Sequence, residues 1–289
     1  MKKYLSKAVI YIFLIFMSVI FTLPLLVTLT NSFMSETVIS FNYTTKLSYF
    51  DISNKIKTNF IDMCLIPNAV TLSQYKEVLL NQPSFIILLI NSIKITFPVV
   101  LGNIIISLSS AYGFTVWKWK YKEVIFYIYI IVMLMPLQSV LVPNYIIADK
   151  MHILNSYLAI ILPGIFAPFG TFLLRQNMKN MPREYFEAAE IDGAGHFYAF
   201  LHIVIPQMKS GISALCMLVF IEYWNLVEQA VIFIKDYFRE PLSVYLSRLS
   251  SGMIGITFAA SCIYMFLPLL LLIFGQEDLE AGIELSGIK

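Results

Sequence analysis

Long uncharged runs alternate with shorter polar connections along this chain, and their lengths predict helices that cross a lipid bilayer. A hydrocarbon core about 30 Å thick takes about 20 apolar residues at a helical rise of 1.5 Å. Six runs meet that requirement, near residues 8–30, 91–114, 123–146, 156–175, 204–227 and 253–274. Each is expected to be helical, because a helix pairs its own backbone polar groups where water cannot reach them. The stretch SFIILLI, residues 84–90, reads as an interfacial helix leading into the second run. Behind Lys2, Lys3 and Lys7 the uncharged run from Ala8 to Thr30 is too long for a secretory h-region, and no small-residue cleavage site follows it. A retained first span is expected.

The spacing organises the chain into a first span with its leading lysines (1–30), a long polar loop (31–83), a core of five spans (84–274) and a polar tail (275–289). The fold class expected is all-α and polytopic, with about six transmembrane helices. Composition agrees: 58% of the residues are hydrophobic and only 13% charged, where a soluble domain carries about 25% charged residues. Mean hydropathy is +0.77. With the N-terminus inside, eleven lysines and arginines fall on the cytoplasmic side and eight outside, four of the eight in the 31–83 loop. Long loops weigh little on topology, so N-in, C-in is expected. The net charge of +2 gives no sign of a nucleic-acid partner. Cys64, Cys216 and Cys262 form neither a disulfide framework nor a metal site, and His152, His196 and His202 lack metal-ligand spacing.

Polar residues inside the runs call for a reason, since a charge near the bilayer centre costs about 2.5–3.5 kcal/mol. Lys94 either snorkels to the headgroups or belongs to a transport pathway. Tyr223, Trp224 and Asn225, flanked by Glu222 and Glu228, form either an interfacial aromatic belt or a patch suited to a polyhydroxylated ring. Asn103, Ser107, Ser109, Ser110, Gln138 and Asn144 either line a cavity or hydrogen-bond between helices. Prolines at 24, 98, 136, 143, 163, 168, 206 and 268 predict kinks, which suit spans that rearrange and are also common in membrane helices generally.

The densest chemistry lies between the fourth and fifth runs, in PREYFEAAEIDGAGHFYAFLHIVIP, residues 182–206. Pro182 suits a first helical turn, and Glu184 meets the positive end of the helix dipole. The run from Arg183 to Asp192 predicts a rod of roughly 15 Å, closed by Gly193 in a left-handed conformation. Phe197, Phe200, Leu201 and Val204 then fall at i, i+3, i+4 and i+7, giving a second short helix one apolar face. This elbow either docks its alanines and carboxylates into a basic groove of another protein or lies at the membrane surface with its acidic face solvated.

The segment EAAEIDGA, with Phe200, Ile203 and Pro206 at their offsets, resembles the signature of binding-protein-dependent ABC importer permeases. IPNAVTLSQYKEVL followed by NSIK, and the tail GIELSGIK, resemble the carbohydrate-uptake, maltose-transporter-type branch. The resemblance implies that the elbow is a cytoplasmic coupling helix seated in a separate ATPase subunit. By position Glu187, Ala188, Ala189, Asp192, Gly193 and Ala194 match the signature: Gly193 for the turn, the alanines for close contact, Glu187 for a polar link. Gly282, Gly287 and Lys289 match a tail that reaches toward the ATPase pair. The partners implied are a second homologous permease, two ATP-binding cassette subunits carrying ATP and magnesium, and an extracytoplasmic solute-binding protein, in a bacterial plasma membrane. No cofactor is expected on this chain.

Two other function classes compete. No G-x-x-x-x-G-K-[ST] loop occurs, so the chain is not itself expected to hydrolyse ATP, and no nucleophile–base set suggests an enzyme. An ion-coupled secondary transporter is the alternative, but ionisable residues deep in the spans and a repeated half, which it calls for, are not evident. The pathway residues expected are Asn103, Ser107, Gln138, Asn144, Tyr223, Trp224 and Asn225, and a sugar or oligosaccharide is the expected cargo.

Overall fold

A computed structural model describes residues 2–43, 46–47, 59–60, 67, 69–182, 184–248 and 254–285 of the chain. Among them the protein is helical throughout, apart from a two-residue antiparallel ladder. Four helices are long and apolar enough to cross a membrane, and two bent pairs bring the number to six. The chain divides into two compact units, one built from residues 1–86 and 248–266, the other from 87–247 and 267–289.

In the first unit, α1 (Lys2–Asn31) carries the apolar span Val9–Asn31. Its end is tied down by side chains. Asn31 Nδ2 donates to the Val27 carbonyl at 2.9 Å and to the Tyr43 hydroxyl at 2.8 Å, and the Ser32 and Tyr75 hydroxyls meet at 2.8 Å. Burial raises the Tyr75 phenol above its usual range, a shift that the bond to Ser32 opposes. The polar segment expected as a loop holds α2 (Glu36–Tyr43), β1 (Lys46–Leu47), β2 (Asn59–Phe60) and α3 (Ser73–Lys76). Lys46 pairs with Phe60 and Leu47 with Asn59. A π turn, Glu77–Asn81, follows α3. Gln74 Nε2 donates to Glu36 Oε2 at 2.9 Å, so α2 and α3 are joined across the segment.

The second unit begins within α4 (Pro83–Thr115). The interfacial helix expected over 84–90 is corrected by this element: Pro83 occupies the first helical position, where its missing N–H costs nothing, and the helix runs unbroken into the span. Two spans expected to be continuous are not. In the third, α5 (Lys122–Met133) and α6 (Leu137–Lys150) meet at 101° across Leu134–Pro136. Pro136 cannot donate a helical hydrogen bond, so the chain turns there. In the fifth, the bend is 74° at Met208 rather than at Pro206.

The fourth span consists of α7 (Leu158–Ile165) and α8 (Pro168–Lys179), which pass together as one 22-residue span. α8 packs against α5 on one side and α12 (Lys209–Trp224) on the other. α13 (Glu228–Phe233) packs on α6 and α7. Leu173, Leu174, Ala214, Leu215 and Phe233 are fully buried where these elements meet. Asn91 donates to the carbonyls of Phe238 at 2.8 Å and Glu240 at 3.0 Å and accepts from the Tyr157 hydroxyl at 2.7 Å. Burial pushes the Tyr157 phenol up. α14 (Leu242–Arg248) follows, and α15 (Ile254–Leu285) closes the chain.

Candidate coupling site

The elbow forms where the sequence places it. α9 (Glu184–Ile191) opens after Pro182 and carries Glu184 and Glu187 in its first turn. Gly193 has φ +71°, a backbone region closed to most residues by their Cβ. The Ala194 N–H then donates to the Ala189 carbonyl at 2.9 Å. That six-to-one bond is the mark of a Schellman ending, and it satisfies a carbonyl that the helix leaves open. Ala189 is buried, whereas Glu187, Asp192 and Gly193 are exposed and Ala194 is half-buried. The side chains of Ala188 and Glu190 lie outside the described residues, as do Arg183, Gly287 and Lys289. The signature residues therefore lie around one turn.

The second arm departs from expectation. α10 (His196–Ala199) runs into a π turn, Phe200–Val204, and then α11 (Ile205–Gln207). The face expected from Phe197, Phe200, Leu201 and Val204 forms only in part: Val204 is buried and Phe200 half-buried, but Phe197 is 75% and Leu201 39% exposed. A π turn takes more residues per turn than an α-helix, so side chains beyond it rotate away from the 3.6-residue register. The arm is held to α4 by Tyr112, whose hydroxyl donates to the His196 carbonyl at 3.3 Å and whose ring meets Phe200 edge-on at 5.1 Å. Ile191, 85% exposed, joins Phe197, Tyr185 and Tyr198 as apolar surface on the elbow. Apolar side chains and carboxylates are thus interleaved on the exposed surface of this turn.

The struts behind the elbow are also specific. Arg175, one turn before the end of α8, is 1% exposed. Its Nη2 donates to Glu123 Oε1 of α5 at 2.5 Å, and its guanidinium lies 3.7 Å from the Phe126 ring centroid. Its Nε and Nη1 find no hydrogen-bond partner among the described residues. Asn177 donates to the Gly282 carbonyl at 3.2 Å. Gly282 is thus packed inside the unit, against Ser210 and Ala214 of α12.

The residues expected along a pathway separate into two sets. Asn103 is fully buried; its Nδ2 donates to the Gly164 carbonyl at 2.9 Å and lies 3.3 Å from the Ile165 carbonyl, and Ser107 donates to its Oδ1 at 3.3 Å. Trp224 is buried and stacks on Phe220 with centroids 5.3 Å apart, and Tyr223 is buried. Gln138 and Asn225, by contrast, are exposed, and Asn144 is half-buried. Gln138 Nε2 donates to Glu228 Oε2 at 3.2 Å, linking the start of α6 to the start of α13. In the sequence Glu228 stands out only as a flank of the aromatic patch. Its proximity to Gln138 spans 90 residues of sequence and leaves no local signal. Among the described residues no group of histidine, cysteine and carboxylate side chains could hold a metal ion.

Broken spans around polar side chains, with a rigid acid-bearing elbow at one end, define a multi-pass transport permease. Residues 102–276 match the family described as the binding-protein-dependent transport system inner membrane component, and the chain belongs to it. It is a permease subunit of an ATP-driven ABC importer of the bacterial inner membrane, a family whose permeases are not themselves enzymes and which works in a complex with an ATPase and a binding protein. Among relatives, the arabinooligosaccharides transport system permease protein AraQ of Halalkalibacterium halodurans is 26% identical over 246 residues, covering 84% of this chain and 88% of that protein. The sn-glycerol-3-phosphate transport system permease protein UgpE of Yersinia pestis is 32% identical over 145 residues, 50% of this chain and 52% of the relative. A crystal structure of a bacterial ABC transporter that imports the acidic polysaccharide alginate contains a chain of the same fold, with a TM-score of 0.77 at 18% identity, covering 96% of this chain and 97% of that one.

Proposed function

We propose that this permease imports a sugar or oligosaccharide and that its 182–206 elbow is the cytoplasmic coupling element, with N- and C-termini inside. The observation that carries the reading is the Schellman turn at Gly193, which presents Glu187 and Asp192 on a rigid rod in a chain of this family. A rigid rod transmits displacement, whereas a flexible loop would absorb it. Two ATP-binding cassette subunits hydrolyse ATP with magnesium; their closure displaces α9, and α8 and α12 carry the movement into the spans. A second homologous permease completes the cavity, and an extracytoplasmic solute-binding protein delivers the cargo.

The cargo class is supported by the substrates for which the relatives are named, an oligosaccharide and a polyol phosphate, and by the exposed Gln138, Asn225 and Glu228. Amide and carboxylate groups at helix breaks suit a ring bearing many hydroxyls. The buried Asn103, Ser107, Tyr223 and Trp224 shape this region from behind, and Asn144 adds a half-buried amide. In reconstituted vesicles, Glu187→Arg and Gly193→Pro are expected to abolish uptake while the ATPase subunits still turn over. Normal uptake in both variants rejects the coupling role. Accessibility labelling of a cysteine placed at Asp192 tests the orientation, and labelling from the outside overturns it.

A further inference from the structure

We propose that the second unit binds one anionic glycerophospholipid in a groove at the elbow end of α4. The segment leaving α4 is VWKWKYK, residues 116–122, in which Trp117, Trp119 and Tyr121 are exposed and alternate with Lys118, Lys120 and Lys122. Aromatic rings with a polar edge settle at the boundary between hydrocarbon and headgroups, and basic side chains there attract anionic lipid. The alternation alone would suit a diffuse membrane anchor. The structure adds a cavity of about 1020 Å³, open on one side and lined by Ser109, Ser110, Gly113, Trp117, Lys118 and His196 among others.

The walls of the groove are fixed. Trp119 packs on Phe114 with centroids 5.9 Å apart, and Trp117 meets the His196 ring edge-on at 6.5 Å. Lys122 donates to the Thr115 carbonyl at 3.4 Å and closes the turn. Glu123, the carboxylate that follows the segment, is held by Arg175, which offsets its charge. Lys118, with the Ser110 hydroxyl and the His196 ring, gives a phosphodiester both charge and hydrogen bonds, while the Ser109 hydroxyl donates to the Ile105 carbonyl at 2.8 Å. Leu101 and Ile105, both strongly exposed, precede Ser109 at four-residue intervals on the same face of α4. They form an apolar track for acyl chains running into the groove, which a soluble phosphate or sugar phosphate would not use. That track, continuous with a basic headgroup pocket, favours a lipid over a soluble anion.

The site lies on the second arm of the elbow through His196, but binding does not depend on the coupling reading, so each can fail without the other. The test uses the purified full-length permease in vesicles of phosphatidylcholine, with photoactivatable phosphatidylglycerol or photoactivatable phosphatidylcholine as the probe. We expect labelling by the phosphatidylglycerol probe to concentrate between Leu101 and Trp119. Lys118→Gln and Lys120→Gln should each lower it about fivefold, and Lys118→Arg should restore it. Gly113→Leu is the sharper variant: Gly113 lines the groove and a Cβ there meets nothing within 4 Å, so the backbone accepts a side chain that occupies part of the headgroup space. Loss of labelling in a protein that melts like the wild type supports the site. Equal labelling by the neutral probe, undiminished labelling in Gly113→Leu, or displacement by inorganic phosphate each overturns it, the last by showing that a soluble anion is the ligand.

Discussion

Asn177 Nδ2 lies 3.2 Å from the carbonyl of Gly282, so the last turn of α8 and the end of α15 are bound to each other beside the elbow. A Cβ on Gly282 would lie 2.6 Å from the Ser210 carbonyl oxygen, a backbone atom that cannot swing aside. Gly282→Val is therefore expected to cost about 1–3 kcal/mol by overpacking. The measurement is thermal melting of the permease in detergent without its ATPase. An unchanged midpoint would mean that the glycine is needed only for the tail contact with a partner that the resemblance implies.

Arg175 and Glu123 are unequal partners. Arg175 is buried on the Phe126 ring, whereas the Glu123 side chain is 54% exposed. Removing the carboxylate leaves a guanidinium that retains its aromatic neighbour, and half-exposed ion pairs contribute less than about 1 kcal/mol. Removing the arginine empties a packed site and frees two rings. Arg175→Ala is expected to destabilise by about 2–4 kcal/mol and Glu123→Gln by under about 1 kcal/mol. Equal losses in chemical denaturation would show that the ion pair dominates.

Gly193 separates backbone strain from packing. No atom lies within 4 Å of the position a Cβ would take, yet φ is +71°. Gly193→Ala should cost about 1–2 kcal/mol through conformation alone, and Gly193→Asn less, since asparagine tolerates the left-handed region. Hydrogen exchange at the Ala194 amide reads the turn directly. Faster exchange in the alanine variant than in the asparagine variant is expected, and identical protection in both would remove the strain argument.

The elbow was legible in the sequence because its signals are local: Pro182 starts a helix and Gly193 ends it, whatever surrounds them. The six apolar runs were legible for the same reason, since lipid imposes a length. What local pattern could not give is where helices break under tertiary load. The π turn at Phe200–Val204 accompanies the packing of Tyr112 on Phe200, a contact between residues far apart in the chain. The turn at Leu134–Pro136 was half visible, since Pro136 announced a kink and not a bend of 101°. The polar segment 31–83 read as a loop because α2 and α3 are too short for periodicity to register, and what joins them is the bond between Glu36 and Gln74. For the polar residues in the spans, the sequence left two readings of Asn103, cavity lining or helix bracing.

Those two readings of Asn103 make different predictions. Its amide faces the carbonyls of Gly164, Ile165 and Ala167 at 2.9, 3.3 and 3.4 Å, around the break between α7 and α8 where helical pairing is incomplete. Asn103→Leu keeps the volume and removes the donor, so buried carbonyls lose a hydrogen bond at a cost of about 1–3 kcal/mol. Ser107→Ala removes only the bond to Asn103 Oδ1 and should cost about 0.5–1.5 kcal/mol. A bracing role lowers the melting temperature in both variants and leaves the substrate concentration for half-maximal uptake unchanged. A lining role does the reverse. Complete burial of Asn103 favours the brace, and a shift in substrate dependence with unaltered melting would return it to the pathway.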